Sequence, residues 1–522
     1  MKNIYIFFLI SATLFTQKIS AQQPGDLDST FNSVGFNTLD MQSGEDNEAY
    51  GIAIQSNGRI VIAGYVYDSD GFYNAAIARY LQNGTLDNSF NTTGYFNLFL
   101  DDNSETDAVA IQSDGKIVAA GHALNSSLDV DFLVIRLKSD GSLDSTFGTN
   151  GITITDFDGY NDYGYEIAIQ SNGKILVSGS SYDGDYDEFA IARYNADGSL
   201  DSSFSADGWL MEIVGSGNSE VFGLAVEPGG KIYAGGYCEN GIDSDFGLIR
   251  LNNDGTMDNT FNSTGEVVTD IDGYNECLNA LVLQTDGKIV TGGFANNDSD
   301  DDFALVRYNT DGTLDDTFDG DGIQTTDLFF SSDEDVFSVK LQQDGKIIAS
   351  GTAYDNTQYY FALARYNTDG SLDTDFSGDG LVTTDINGSD DEIYASEIQT
   401  DGKIVVAGAT DNGNYDFAIA RYLTDDNVGI LDFNSPLNSY LIYPNPVSNL
   451  AHLEYELMNA ATVSAQLLDV QGKLVAQIFD SENQTAGKHD LNINFNEKMA
   501  AGTYLLRIIS GNGQVNIKLV KE

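Results

Sequence analysis

Seven near-copies of one eight-residue phrase, evenly spaced, constrain this chain more than any other feature. NGRIVIAG spans 57–64, DGKIVAAG 114–121, NGKILVSG 172–179, GGKIYAGG 229–236, DGKIVTGG 286–293, DGKIIASG 344–351 and DGKIVVAG 401–408. Their basic residues, Arg59, Lys116, Lys174, Lys231, Lys288, Lys346 and Lys403, are separated by 57 or 58 residues throughout. So regular a period marks a repeat architecture, in which each unit buries its apolar faces against its neighbours. Two further motifs keep the beat. GTLDNSF at 84–90 returns in variants down to GSLDTDF, which ends at Phe376, and a run ending in arginine places Arg79, Arg136, Arg193, Arg250, Arg307, Arg365 and Arg421.

Within one unit, 162–218, the apolar residues fall into four short runs, YEIAIQ, KILVSG, FAIARY and WLMEIV. Runs of this length, rich in β-branched and aromatic residues and separated by Asn-Gly, Asp-Gly or Gly/Asp/Ser clusters, are strands; no helical period of useful length competes. Asn-Gly and Asp-Gly before each basic residue supply the positive φ of a two-residue hairpin turn. Four antiparallel strands repeated seven times predict an all-β, seven-bladed propeller. A β-solenoid is the competitor, but here the two ends are complementary. The last unit stops after DFAIARYL at 416–423 without a G-x-L-D-x-x-F copy, and GDLDSTFNSVGFNTLD at 25–40 offers the missing outer strand, which would close the ring and hide both edges.

The pattern Q-x-DGKI-x-x-x-G, F-A-x-x-R-Y, DGSLD-x-x-F resembles the delta-60 repeat family of propeller-like bacterial proteins over residues 25–425. The first unit departs from it at Asn74-Ala75 and the fourth at Gly229-Gly230. The resemblance implies architecture and almost no biochemistry.

The ends of the chain read differently. Residues 1–21 hold a lysine, an apolar stretch short for a bilayer span, and Ala21 before Gln22, the pattern of a cleaved export signal. No later segment approaches 18 apolar residues, so no transmembrane segment is expected in the mature chain. After a propeller at 22–428 and a linker at 429–442, which with its flanks gathers Pro436, Pro444 and Pro446, residues 443–522 read as the strands of a small β-sandwich. That segment is similar to the C-terminal sorting domain of the type IX secretion system of Bacteroidetes-like bacteria, through Tyr443, Pro444, Asn445, Pro446, Gly472, Lys473, Gly502, Tyr504, Lys518 and Lys521. The similarity implies handling by the type IX machinery, passage through the outer membrane, removal of the domain, and release or attachment of the propeller at the cell surface.

Charge narrows the partners. The net charge is -56, and residues 22–442 hold 16 basic against 72 acidic residues. Fourteen of those 16 are the periodic ones, leaving only Lys138 and Lys340 spare, so a nucleic acid is a poor candidate ligand. The periodic arginines, Arg136, Arg193, Arg250, Arg307 and Arg421 among them, are expected to pair with a blade acid such as the Asp of the neighbouring G-x-L-D motif.

Acid and tyrosine concentrate in the loops that join second to third strands and in those that lead into each inner strand. Such a face is either a solvated surface or a cation-dependent or sugar-binding one. DFDG, DIDG and DING place Asp156 and Asp158, Asp270 and Asp272, and Asp385 and Asn387 two apart beside a glycine; they are candidates for calcium or, equally, for Asx-type turns. Glu48, Glu105, Asp162, Glu220, Glu276, Asp335 and Glu392 are expected to ring the channel mouth. Cys238 and Cys277 fall in adjacent blades on one face and are a candidate disulfide, with two free thiols as the alternative. No G-x-S-x-G, H-E-x-x-H or P-loop occurs, and the repeats hold a single histidine, His122. A non-catalytic binding or interaction module for a protein or glycan ligand is therefore the expected function, with a secreted glycan-active hydrolase or lyase working through acidic-face carboxylates as the alternative.

Overall fold

The computed structural model describes residues 22–424, apart from 43, 101, 126, 330 and 331, and residues 437–521, apart from 444–446, 448, 458–459, 470–472, 496–498, 500–501 and 511–512. The expected leader with Ala21, and Pro444, Asn445, Pro446 and Gly472 of the sorting motif, lie outside the described residues. The chain divides into two compact units, one spanning Gln22–Asp426 and the other holding Asn427–Glu522.

The first unit is a seven-bladed propeller of four-stranded antiparallel sheets. Blade 3 is representative: the inner strand Asp162–Ile169 pairs with Ile175–Tyr182, that strand with Asp187–Tyr194, and that with the outer strand Trp209–Glu212. The seven inner strands begin at Asn47, Ser104, Asp162, Ser219, Glu276, Glu334 and Asp391 and surround a central channel. Blade 7 is completed from the other end of the chain, where Phe36–Leu39 pairs with Tyr415–Tyr422.

Second and third strands are buried almost throughout, because each sheet packs on both faces; Leu176, Phe189 and Ile191 of blade 3, for instance, meet Val221, Ile232 and Ile249 of blade 4. The third-strand arginine ties each blade to the next. Arg250 Nε donates to Asp258 Oδ2 at 2.7 Å, Nη2 donates to Thr260 Oγ1 at 2.9 Å, Nη1 donates across the interface to the Thr310 carbonyl, and the guanidinium lies 4.6 Å over the Phe261 ring. The motif lysine completes the cluster, as Lys288 does on Asp315 at 2.7 Å. At the closure Arg421 and Lys403 both reach Asp28 Oδ2 at 2.8 Å, and Arg421 lies over Phe31.

The second unit is a β-sandwich. One sheet orders Leu437–Tyr443, Leu450–Leu457 and Gly487–Asn494; the other orders Leu474–Gln484, Ala461–Asp469, Gly502–Ser510 and Gly513–Lys521. Leu453, Tyr455, Leu467, Ile493, Leu506 and Leu519 fill its core, with Tyr504 of the sorting motif buried among them.

Candidate functional site

Every inner strand carries one β-bulge at the same place. In blade 3 the register passes from Gly164 to Glu166, leaving Tyr165 unpaired, and the same slip leaves Tyr50, Asp107, Phe222, Asn279, Phe337 and Tyr394 unpaired in the other blades. A bulge re-aims a side chain that the ladder would otherwise fix, and these seven line the channel around a cavity of about 570 Å³. The eighth residue of the repeated phrase makes the bulge possible. A Cβ on Gly236 would sit 1.6 Å from the Glu220 carbonyl oxygen, and one on Gly408 would sit 1.8 Å from that of Glu392. The recurring glycine is thus a requirement of close backbone approach.

Five of the seven bulge residues are aromatic, and they touch around the ring: Tyr50 and Tyr394 have centroids 4.9 Å apart, Phe337 and Tyr394 5.4 Å, Tyr165 and Phe222 5.1 Å. Above them stand the second residues of the inner strands, Glu48, Glu105, Tyr163, Glu220, Cys277, Asp335 and Glu392. Tyrosine hydroxyls tie up most of these carboxylates. Tyr50 and Tyr65 donate to Glu48 at 3.0 and 2.6 Å, Tyr237 donates to Glu220 at 2.9 Å, and Tyr394 and Tyr415 donate to Glu392. Burial and the adjacent carboxylates drive the hydroxyls of Tyr50 and Tyr394 far above their ordinary range, so they remain donors at any physiological pH.

The single imidazole sits in this rim. His122 Nδ1 lies 3.4 Å from Asp107 Oδ2, and its Nε2 lies 4.0 Å from Glu105 Oε2. Burial alone would lower the His122 pKa, but the Asp107 contact and the Glu105 charge outweigh it and raise it. Glu105 is pushed up to about 7, by burial first and then by Asp107 and Glu48, with His122 opposing. Deeper in the channel Lys340 pairs with Glu397 at 2.7 Å, beside Glu166, which burial raises to about 7.

Two of the seven acids expected in the rim stand elsewhere. Asp162 and Glu276 are the first residues of their strands rather than the second, and a one-residue offset turns a side chain to the opposite face; Tyr163 and Cys277 take the rim positions. The spacing carried the signal, because each rim residue lies eleven before the motif's basic residue, which gives 163 before Lys174 and 277 before Lys288, whereas Asp162 and Glu276 each fall one residue short.

Among the loop candidates for calcium, Asp156 and Asp270 gather with acids from two neighbouring blades, whereas Asp158 and Asp272 are exposed and join no such group among the described residues. Asp156, Asp270 and Asp385 each accept the backbone N–H three residues on, at Gly159, Gly273 and Gly388, as Asx-type turns do. Asn387 donates to Thr410 Oγ1 at 3.1 Å.

The expected Cys238–Cys277 bridge is replaced by two free thiols. Cys238 packs against Val214 and Gly215 toward blade 3, while Cys277 faces the channel and donates to Asn279 Oδ1, which is the side of blade 6. Shared loops put the two positions on one end of the propeller, but strand alternation aims them apart.

The bulge ring itself was not anticipated from the sequence. Its signal was the phrase-final glycine at every copy, which marks a backbone crossing too close for a Cβ.

Comparison with known proteins follows the same division. A family profile described as "Domain of unknown function (DUF5122) beta-propeller" matches residues 55–90, 112–147, 170–204, 228–261, 284–318, 342–376 and 399–428. A second, "Secretion system C-terminal sorting domain", matches 441–522. No curated protein matches the chain. Among solved structures the chain is similar to virginiamycin B lyase from Staphylococcus aureus, at 12% identity and a TM-score of 0.43 over 74% of this chain and 99% of that one. It is also similar to polysaccharide lyase Uly1, at 11% identity and a TM-score of 0.41 over 72% and 90% of the two chains.

Proposed function

We propose, from the premise that the chain belongs to the DUF5122 β-propeller family and is exported through its type IX sorting domain to the cell surface or beyond, that it is a non-catalytic binding module. Its ligand enters the aromatic mouth of the channel. The observation that supports this reading is the bulge ring: five aromatic side chains on one level beneath a rim of carboxylates. Aromatic faces stack on the apolar face of a sugar ring or on an organic cation, and carboxylates accept O–H and N–H donors. The rim sets Glu48, Glu105, Glu220, Asp335 and Glu392 against one imidazole, so the ligand is neutral or cationic, such as the end of a neutral or amino-sugar glycan, and a polyanion is repelled. The same reading takes 1–21 as an export signal cut between Ala21 and Gln22, and the C-terminal unit as the sorting segment removed on passage.

A glycan array carrying neutral, amino-sugar and uronate chains, probed with the purified propeller, tests this. Neutral or amino-sugar binding that falls at least tenfold in Tyr394→Ala and Phe222→Ala is expected; selective uronate binding, or binding indifferent to both variants, would overturn it.

One observation favours a second reading, a secreted glycan-active enzyme. Glu105, half protonated near neutrality beside the Asp107–His122 pair, is a group suited to proton transfer. Turnover of a polysaccharide by the native protein, lost in Glu105→Gln, would replace the binding reading with this one.

A further inference from the structure

At the edge of each blade interface three positions converge: the second residue of the third strand, the residue just after the outer strand, and the first residue of the next inner strand. At three interfaces all three are acids. These are Asp131, Asp156 and Asp162 between blades 2 and 3, Asp245, Asp270 and Glu276 between blades 4 and 5, and Asp302, Asp327 and Glu334 between blades 5 and 6. In each triad one carboxylate oxygen per residue lies within 4.8 Å of the others.

Three carboxylates at that separation repel strongly unless one of them holds a proton or a cation lies among them. Among the described residues no lysine, arginine or histidine forms an ion pair with any of the nine. Each triad also has a carboxylate oxygen without a partner, which in the third is Asp302 Oδ1, because buried Glu334 accepts from Leu328, Phe329 and Ser332. Asp162, wholly buried, accepts the Phe157 N–H with Oδ2, and its Oδ1 has no partner. Asp245, 2% exposed, accepts from Asn240 with Oδ2 and leaves Oδ1 unpartnered; Glu276, wholly buried, leaves Oε2 unpartnered. A buried carboxylate oxygen with no donor is costly.

Two of the four other interfaces act as internal comparisons, while the remaining two carry two acids each, Asp385 with Asp391 and Asp40 with Asp416. In the comparison pair the corresponding residues are Asn74, Phe99 and Ser104 between blades 1 and 2, and Glu188, Ile213 and Ser219 between blades 3 and 4. The first closes with none of the three acids and the second with Glu188 alone, so blade packing by itself does not demand a triad.

We propose that the three triads are divalent cation sites of the calcium class, each pinning two adjacent blades together at the mouth face. All-oxygen, carboxylate-rich donor sets on short loops are the hard-cation choice, and calcium tolerates the irregular geometry that three strands from two blades impose. Asp162, Glu276 and Glu334 are raised to about 7, 7 and 8, each by burial first, with triad neighbours adding to it. A bound cation would reverse these shifts by supplying the missing charge.

The test is isothermal titration of the chelator-treated full-length protein with calcium chloride, with magnesium chloride in parallel. Terbium luminescence provides an independent readout. Tyr194, Tyr308 and Tyr366 bond the threonines that precede Asp156, Asp270 and Asp327, which places a sensitising ring beside each triad. Three equivalents of calcium are expected, one per triad, with one lost in each of Asp162→Asn, Glu276→Gln and Glu334→Gln. The exposed members supply variants that do not disturb packing: Asp156→Asn, Asp270→Asn and Asp327→Asn together should abolish the sensitised terbium signal. No binding by the native protein, or three equivalents retained in that triple variant, would overturn the proposal. Magnesium binding as tightly as calcium would overturn the calcium assignment.

Discussion

Arg250 and its six equivalents convert a repeated sequence into a repeated interface. In five of the seven the buried guanidinium has its donors assigned to an aspartate eight residues on, to the hydroxyl two further and to a carbonyl of the next blade, with a phenylalanine ring against its face. Arg365 has Asp375 in place of the hydroxyl, and Arg421 takes Asp28 and Thr30 from the other end of the repeat array. Removing the guanidinium leaves Asp258 buried with only Lys231 to neutralise it. Arg250→Ala should therefore cost about 3–5 kcal/mol in a denaturant titration, and Arg250→Lys most of that, because an ammonium cannot reproduce the fork; an unchanged midpoint would place these arginines among surface groups. The arginine–aspartate pairing was legible because period and charge scarcity left few alternatives. The cysteines were not, because loop order gives the end of the propeller on which a residue stands but not the face of the strand from which it projects. Asp162 and Glu276 failed for the same reason, by one residue.

At the scale of the element, the bulge is what turns a propeller blade into a lining for a site. Four strands and their hairpins could be read from alternation and Asn-Gly or Asp-Gly turns, but a bulge is a property of paired register, which a single strand does not display. Gly408→Ala drives a methyl into the Glu392 carbonyl, so the inner strand must shift. A loss of about 3 kcal/mol is expected, together with weakened ligand binding as Tyr394 moves; a neutral substitution would show that the bulge does not depend on the crossing. The acid triads at the strand ends predict a pH dependence. Glu276 and Glu334, ordinarily near 4.5, titrate at about 7 and 8 in the folded chain because of burial. The folded state then holds more protons than the unfolded one between those values, so stability falls as pH rises through that window. In chelator-treated protein the melting temperature should be higher at pH 5 than at pH 8, and calcium should remove the difference. An identical drop with and without calcium would dissociate these acids from any cation.

For the molecule as a whole, the decisive contact joins residues 393 apart in sequence, Asp28 and Arg421. The complementary ends of the repeat array made this closure legible, since the last unit lacks what residues 25–40 supply. Burial opposes ionisation of Asp28, but Arg421, Lys403 and Thr30 outweigh it and lower its pKa to about 2. Its contribution is thus fully present above the ordinary carboxylate range and disappears as pH falls toward 2. Asp28→Ala and its interior counterpart Asp144→Ala remove the same interactions and should each cost about 3–5 kcal/mol. Their consequences differ in kind, because blade 2 receives its outer strand from a continuous chain, whereas blade 7 receives Phe36–Leu39 only by closure. Losing that strand bares the edge of Tyr415–Tyr422, a row of unpaired backbone groups that a second copy can extend. Hydrogen exchange should accordingly rise at 36–39 and 415–422 in Asp28→Ala and not at the corresponding strands of Asp144→Ala, and sedimentation should show concentration-dependent association of the first variant alone. Equal exchange in the two would mean that the ring is held by blade-to-blade packing and that the closing pair adds nothing beyond its local energy.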